Sequence, residues 1–392
     1  MKAAGLLARE PFAAVLESTL MNFLHLRFGG SWEVRWRERS TVATLGAQLW
    51  LCNLTINAIF RNGALPQVFE VVRREFSSTP VRWRRPLQRL YFEMTVSHTF
   101  AARLANARLE IVPAIPGSEG WLLVAGGTKL RVIDTAASRV YCCRKSNASL
   151  RRFRGELTAR EHARQYGVRV PKLVDELSAD CVTEQMIVGT PPNRLASANE
   201  TARAINSARE TLAKLHNATK RESGFQEYCE ALFAESGELV HGSGYFESRM
   251  NEVEHCAKQL RSLTSLFADK PVATAVAHGD FQPGNILWDG SASWLVDWEH
   301  SCRRQFRYDE LVLELCSRFP KGLAARIEQR LRASSAKSRD EQACELALFL
   351  LEEFVFHLRD GSALSAQVDF LSWSFFLKEF DVACNVLKTY AK

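Results

Sequence analysis

The spacing of apolar residues changes twice along the chain. In residues 1–110 apolar side chains recur at intervals of three or four positions, which predicts amphipathic helices. These predicted helices lie near residues 12–26, 45–60 and 87–109. Pro113 and Pro116 end this pattern, and short apolar runs follow. After Gly189 the pattern is mainly helical again, interrupted by one predicted β-hairpin at residues 285–298.

The middle of the chain has the pattern of a small antiparallel sheet. Short apolar runs alternate there with turns, and one helical segment follows the third run. The predicted elements are strands at 121–125, 130–134, 140–145, 172–177 and 181–187, with a helix at 150–166. The order predicts an α+β, two-lobed fold. A helical N-terminal extension (1–112) precedes a sheet lobe (113–190) and a larger helical lobe (191–392).

One stretch has the length of a bilayer span. Residues 41–60 contain no charged side chain, but Thr44, Gln48, Thr55 and Asn57 interrupt the apolar positions. We therefore predict a buried helix here and not a membrane span. The first residues include Arg9 and Glu10 and lack the apolar run of a secretory signal. The ten cysteines show no metal-ligand spacing, so we expect reduced thiols in a cytoplasmic protein.

Basic residues are concentrated near the N-terminus. Residues 1–110 contain 15 Lys and Arg against 8 Asp and Glu, which gives this segment the whole chain's net charge of +7. Two clusters combine Arg with Trp, Arg35-Trp36-Arg37 with Arg39 and Arg82-Trp83-Arg84-Arg85 with Arg89. We interpret them as solvated arginines around packed tryptophans. The alternatives are contact with anionic lipid, which would place the protein peripherally at the inner membrane face, or with a phosphorylated substrate. Nucleic acid is disfavoured because no reader fold is recognisable.

A single segment contains the strongest chemical signal. His278-Gly279-Asp280 is followed by Phe-Gln-Pro-Gly and Asn285, and a hydrophobic strand then ends in Asp297-Trp298-Glu299. This segment resembles the signature of the aminoglycoside phosphotransferase and choline kinase family, H-G-D-x-x-x-x-N followed by D-W-E or D-F-E. The resemblance implies a protein-kinase-like fold and transfer of a phosphoryl group to a small molecule.

Phosphoryl transfer explains the residue types in this segment. A carboxylate on a rigid loop can orient the attacking hydroxyl and accept its proton, which makes Asp280 the candidate catalytic base. The resemblance implies that Asn285 and Asp297 hold Mg²⁺, because amide and carboxylate oxygens are hard ligands. The hairpin is expected to return Asp297 beside Asn285, with Glu299 as a further contact to the metal's water. His278 is expected to order the loop.

The family also places a lysine at the end of the third strand of the sheet lobe, where it contacts the nucleotide phosphates. That strand ends Arg144-Lys145 here, and strand alternation allows only one of the two side chains to face the nucleotide. We favour Lys145 because it is the compact charge normally used, and Arg144 remains the alternative. Its expected partner is Glu156 on the following helix, in preference to Glu161.

Two further segments are expected to contact the nucleotide. Gly126 and Gly127 lie between the first two strands and could bring backbone N–H groups to phosphate, although the pair also suits an ordinary turn. The strand at 181–187 resembles the family's interlobe hinge. Its backbone at Gln185 and Ile187 is then expected to bind the base of ATP or GTP.

The sequence therefore predicts an ATP- or GTP-dependent, Mg²⁺-requiring phosphotransferase that acts on an alcohol group. The expected acceptor is a small molecule, a saccharide or a lipid-linked molecule. Residues 300–392 hold 14 basic and 13 acidic side chains, and so lack the acidic excess that a polycationic acceptor would favour. The alternative is a nucleotide-binding pseudokinase or scaffold that acts through its basic extension.

Overall fold

The computed structural model describes residues 10–38, 44–76, 82–97, 99–242, 244–333, 336–362 and 370–390. Arg39, the side chain of Arg82 and the first nine residues lie outside this description. The described chain forms two compact units. The first contains the chain up to Arg164, Arg169–Ala208 and Gly284–Glu299, and the second contains Gln165–Val168, Arg209–Pro283 and the chain from His300 onward.

The strands of the described residues form three sheets. These strands are β1 Glu33–Glu38, β2 Gln48–Asn53, β3 Ala58–Arg61, β4 Ala107–Val112, β5 Trp121–Ala125, β6 Lys129–Asp134, β7 Arg139–Arg144, β8 Leu173–Ser178, β9 Cys181–Gln185, β10 Arg221–Gly224, β11 Pro271–Ala277, β12 Ile286–Trp288, β13 Ser293–Leu295 and β14 Cys302–Gln305. A nine-stranded antiparallel sheet dominates the first unit, with the order β1-β4-β2-β3-β5-β6-β7-β9-β8, and a two-stranded sheet pairs β12 with β13. The second unit contains a three-stranded sheet of order β10-β11-β14.

Helices make up most of the second unit and are fewer in the first. They are α1 Phe12–Phe28, α2 Glu70–Phe76, α3 Arg85–Val96, α4 Ala101–Leu104, α5 Leu150–Gln165, α6 Ala198–Thr219, α7 Phe225–His241, α8 Met250–Thr264, α9 Tyr308–Glu314, α10 Leu323–Arg332, α11 Ala336–Ser362 and α12 Phe370–Tyr390. Together with the sheets they confirm the predicted α+β architecture, a sheet part and a helical part.

The N-terminal segment differs from its prediction. Residues 45–60 do not form a helix, because β2 and β3 pair there as an antiparallel hairpin. The predicted helix near 87–109 is divided into α3, α4 and β4. Strand β3 also pairs with β5, so the first 112 residues add four strands to the sheet and belong to the same compact unit as residues 113–164. Within the described chain, none of the helices combines the length and apolar character needed to cross a bilayer.

Two hydrophobic clusters cover opposite faces of this sheet. Helix α1 lies on one face, where Phe23 contacts Tyr141 of β7, at 5.2 Å between ring centroids. On the other face Phe153 of α5 packs against Cys142 and Val182. Because side chains alternate along a strand, odd-numbered residues of β7 face α1 and even-numbered residues face α5. This alternation decides which charged residues at the end of β7 share a face with α5.

The core of the second unit contains a buried carboxylate. Glu352 of α11 has no exposed surface, and it accepts hydrogen bonds from the Tyr228 hydroxyl (2.6 Å) and the Gln305 N–H (2.7 Å). Burial raises the pKa of Glu352 to about 7, although the nearby Arg304 guanidinium and these hydrogen bonds oppose the shift. The folded state thus binds a proton at this site more tightly than the unfolded chain does.

This shift predicts a pH-dependent effect of Glu352→Gln. The stabilising contribution of the protonated carboxyl is complete below the ordinary glutamate pKa and is lost as the pH rises to about 7. Relative to wild type, Glu352→Gln should therefore gain stability between pH 5 and pH 8, on the order of 3 kcal/mol. Urea unfolding of both proteins at the two pH values measures this change. A difference in unfolding free energy that is the same at both values would contradict it.

Candidate active site

The hairpin β12–β13 positions both predicted metal ligands in the first unit. Ile286 pairs with Leu295, and the Val296 N–H donates to the Asn285 carbonyl at 3.0 Å, so Asn285 and Asp297 lie at the same end of the hairpin. The predicted hairpin is confirmed. Asp297 itself has a φ of +67°, in the left-handed region that non-glycine residues rarely adopt. Such conformations are often found at functional sites.

Asp297 lies in a network of charged residues around a buried lysine. The Lys129 ammonium donates to both oxygens of Glu156 at 2.7 and 2.6 Å, and to Asp297 Oδ1 at 3.0 Å. The Arg131 guanidinium donates to the same Asp297 oxygen at 2.9 Å. Lys129 and Glu156 are 6% and 5% exposed, so this ion pair is largely shielded from solvent screening. Two cations from β6 thus converge on the carboxylate at the end of the hairpin.

The proton affinities of these groups follow from their charges. Burial alone would lower the pKa of Lys129, but the carboxylates of Asp297 and Glu156 raise it above the ordinary value, so the ammonium is charged at neutral pH. Asp297 likewise raises the pKa of Arg131. Burial, together with Asp297, raises the pKa of Glu299, against the opposing effect of Arg152. The Thr128 hydroxyl donates to Glu299 at 2.7 Å and fixes its orientation.

The structure does not form the expected pair of Lys145 with Glu156. Lys145 forms its ion pair with Glu10, at the start of the segment that leads into α1, and burial lowers its pKa. Residue 145 is odd-numbered and therefore lies with the α1 side of the sheet. Arg144 is even-numbered and lies on the α5 side of the sheet, but its Nε donates to Asp180 at 2.7 Å. Glu161 pairs with Arg164 on the exposed surface of α5.

The two backbone segments expected to bind nucleotide have ordinary local roles. Gly126 donates its N–H to the Lys129 carbonyl at 2.8 Å, which closes the turn between β5 and β6, and Gly127 lies exposed at its tip. The Gln185 N–H donates to the Lys172 carbonyl at 2.9 Å. Ile187 lies between the end of β9 and Gly189. A Cβ added to Gly189 would be 2.8 Å from Leu287 Cβ. Glycine is therefore required for this close approach.

Asn285 and Asp297 suit a hard divalent cation. They offer one amide and one carboxylate oxygen, and Mg²⁺ commonly takes only one or two protein ligands, filling its octahedron with phosphate oxygens and water. In the described part of the chain, this site included, His, Cys, Asp and Glu do not gather in threes in a way that could hold a metal. The donor set thus fits magnesium better than zinc, which prefers Cys and His.

The second unit holds the loop of the predicted base. Asp309 accepts the N–H groups of His278 (2.7 Å) and Gly279 (2.9 Å) and lies 3.0 Å from His216 Nε2. Burial alone would raise the pKa of Asp309, but these hydrogen bonds and the nearby imidazoles lower it. Gly279 has a φ of +85°, and an added Cβ would lie 2.0 Å from the His300 carbonyl oxygen. Only glycine fits between His278 and Asp280.

Arg318 holds Asp280, a contact that the sequence did not reveal. Its Nε donates to Asp280 Oδ1 at 2.6 Å and its Nη2 to the Gly279 carbonyl at 2.7 Å. Its Nη1 donates to both carboxylate oxygens of Glu353, at 2.8 and 2.6 Å. The Gln282 amide donates to Asp280 Oδ2 at 2.8 Å. Both carboxylate oxygens of Asp280 are therefore oriented, as a positioned general base requires.

These features define the class of protein. A loop with a doubly oriented aspartate, a hairpin with oxygen ligands and a buried Lys–Glu pair are the parts that phosphoryl transfer uses. The model of the phosphotransferase enzyme family matches residues 124–344, more than half of the chain. The chain therefore belongs to this family, as the signature segment predicted, and it is a small-molecule kinase by class. A search of curated proteins gave no match.

Solved structures show similarity at low sequence identity. A choline/ethanolamine kinase family protein from Mesorhizobium loti is 20% identical, with 70% of this chain and 96% of that chain covered and a TM-score of 0.42. An ethanolamine kinase from Plasmodium vivax is 12% identical, with 78% of this chain and 91% of that chain covered and a TM-score of 0.45. The aminoglycoside phosphotransferase APH(3'')-Id from Streptomyces rimosus is 17% identical, with 64% of this chain and 94% of that chain covered and a TM-score of 0.39.

Proposed function

We propose that the protein transfers the γ-phosphoryl group of ATP or GTP, in a Mg²⁺-dependent reaction, to a hydroxyl of a small molecule, a saccharide or a lipid-linked acceptor. The observation that supports this most directly is Lys129, a buried cation held by Glu156 and in contact with Asp297. A lysine positioned by a glutamate next to a metal-binding aspartate is the arrangement that steadies nucleotide phosphates in kinases.

Each proposed site residue of the first unit then has a defined role. Lys129 contacts the phosphates, Glu156 keeps its ammonium in position, and Asn285 and Asp297 supply oxygen ligands to Mg²⁺. When bound, Mg²⁺ neutralises charge on the transferring phosphoryl group. The backbone at Gln185 and Ile187 is the proposed contact for the base, and the Gly126-Gly127 turn is the proposed cover of the phosphates. Arg131 adds a second positive charge beside Asp297.

Asp280 in the second unit is the proposed base. It accepts the proton of the acceptor hydroxyl, while Arg318 and Gln282 hold its carboxylate in one orientation. His278 orders the loop, because its Nδ1 lies 3.3 Å from the Asp280 N–H and its own N–H is bound by Asp309. Positioning of this kind lowers the barrier because the carboxylate need not reorganise during proton transfer.

A ligand that binds only the native protein raises its melting temperature, and this gives the first test. Wild type should be stabilised by ATP or GTP in the presence of Mg²⁺, and Asp297→Ala should lose most of the Mg²⁺-dependent part of the shift. Asp175→Ala, which removes an exposed carboxylate of β8, is the matched control and should respond as wild type does. Thermal-shift titrations with each nucleotide, with and without Mg²⁺, measure both effects.

The result then directs the search for the acceptor. A Mg²⁺-dependent shift that Asp297→Ala abolishes justifies a screen of hydroxyl acceptors by phosphoryl transfer. A shift without turnover on any acceptor, and without nucleotide hydrolysis, would favour the pseudokinase alternative. If a folded sample responds to neither nucleotide, the proposed function is wrong.

A further inference from the structure

Three large apolar side chains are exposed close together before the region that matches the family. Trp83 precedes α3, and Leu87 and Leu90 lie three positions apart within it, so they are neighbours on one helix face. Their exposed fractions are 66%, 59% and 60%. Isolated exposed apolar residues are ordinary, but three within eight positions form a patch. The opposite face of α3 is packed, because Phe92 and Thr95 are buried.

The patch is continuous with an apolar cavity. Trp83 and Leu87 line a cavity of about 480 Å³ together with Thr55, Phe76, Arg84, Gln88 and Tyr91. Three of these seven lining residues are aromatic, and one is an arginine. The surface around the tryptophan is therefore an open recess lined mainly by apolar groups.

Arginines surround this patch. Arg84 and Arg89 are exposed and Arg85 is half-buried, and the Arg84 guanidinium lies 5.1 Å from the centre of the Trp83 ring. The acidic residue of α3, Glu93, is ion-paired with Arg73. The acidic side chain of α3 is thus engaged by an arginine that lies outside this patch. A partner that fits must offer both negative charge and apolar groups.

We propose that Trp83, Leu87 and Leu90, with Arg84, Arg85 and Arg89, form a surface that docks on a bilayer containing anionic lipids. Tryptophan and leucine insert at the boundary between headgroups and acyl chains, and arginine binds the anionic headgroups. Nucleic acid would satisfy the arginines but leaves the leucines without apolar partners. This binding is independent of the proposed phosphoryl transfer, because none of these residues belongs to the candidate active site.

Vesicle flotation with the full-length protein tests the proposal. We expect wild type to float with phosphatidylcholine vesicles that contain phosphatidylglycerol, and not with phosphatidylcholine alone or at high salt. The double variant Leu87→Gln, Leu90→Gln should bind at least about tenfold more weakly. Arg84→Ser with Arg89→Ser should reduce binding by roughly 25-fold, because each arginine contributes about fivefold near an anionic surface.

Two matched controls alter similar groups elsewhere. Leu266→Gln removes an exposed leucine and Lys258→Ser an exposed cation, and both should bind as wild type does. Unchanged melting temperatures of all variants show that the fold is retained. The proposal is overturned if wild type does not bind anionic vesicles. It is also overturned if only the arginine pair affects binding, because that result indicates a polyanion site such as one for RNA.

Discussion

Asp280→Asn should reduce turnover by a factor of about 10² to 10⁴, the usual contribution of a general base. The amide has nearly the same shape as the carboxylate but cannot accept the proton of the acceptor hydroxyl. The nucleotide should still bind, because its proposed contacts lie on Lys129, Asn285 and Asp297. Steady-state kinetics with an acceptor from the screen measure turnover, and titration with Mg²⁺ and nucleotide measures binding.

The contacts of Asp280 define the control for this variant. Arg318 would face a neutral amide, so part of any loss could come from movement of the arginine. Gln282→Ala removes the other hydrogen bond to Asp280 and leaves the carboxylate charged, and it should cost much less activity. If Asp280→Asn retained wild-type turnover, the aspartate would not be the base.

Lys129→Met should lower phosphoryl transfer by roughly 10² to 10³, the typical cost of removing one preorganised charge contact. Lys145→Met should change transfer by less than about threefold, because Lys145 lies on the α1 side of the sheet and pairs with Glu10. The two variants make the same chemical change on opposite faces of one sheet. Comparing their kinetics and nucleotide affinities therefore identifies the lysine that contacts the phosphates.

Stability must be separated from function in both variants. Removing either lysine leaves a buried carboxylate without its partner, which destabilises the fold. The double variants Lys129→Met, Glu156→Gln and Lys145→Met, Glu10→Gln remove both charges of each pair and should restore part of the melting temperature. If Lys145→Met, Glu10→Gln lost activity while Lys129→Met, Glu156→Gln retained it, the phosphate contact would be Lys145 and not Lys129.

Local motifs in the sequence were sufficient to predict the hairpin β12–β13 that follows the signature loop. The glycine of His278-Gly279-Asp280 is required by a positive φ and by close contact with His300, so the motif follows from backbone geometry. The turn of the hairpin is equally local, because Asp289 accepts the N–H groups of Ser291 and Ala292. Interactions that span only a few residues are visible in the order of residue types.

Residues 45–60 were assigned to a helix because their strands are buried on both faces. Trp50 and Ile59 belong to one hydrophobic cluster, whereas Leu51 and Phe60 belong to the other. A strand of this kind does not alternate between apolar and polar residues, so a short apolar run alone cannot distinguish it from a buried helix. The β2–β3 hairpin depends on pairing with β4 and β5, more than 40 positions later in the chain.

The ion pairs of Lys129 were not predicted, for a related reason. The sequence Lys129-Leu130-Arg131-Val132 alternates charged and apolar residues, which places both cations on one face of β6 but does not indicate their partners. The face of β7 on which Lys145 lies was not apparent, because it depends on Glu10 and α1, far away in sequence. Arg318 reaches Asp280 across 38 positions, so no local pattern indicated that pair either.

The pairing of β3 with β5 makes the N-terminal segment a protective border for the part of the sheet that the family match covers. The family match begins at residue 124, inside β5, whose Leu122 and Leu123 pair with Phe60 and Ile59. A fragment that begins at that position would lack β3 and most of β5 and would leave an unpaired strand edge exposed, which invites edge-to-edge aggregation. The segment that lies outside the family match thus covers this edge of the sheet.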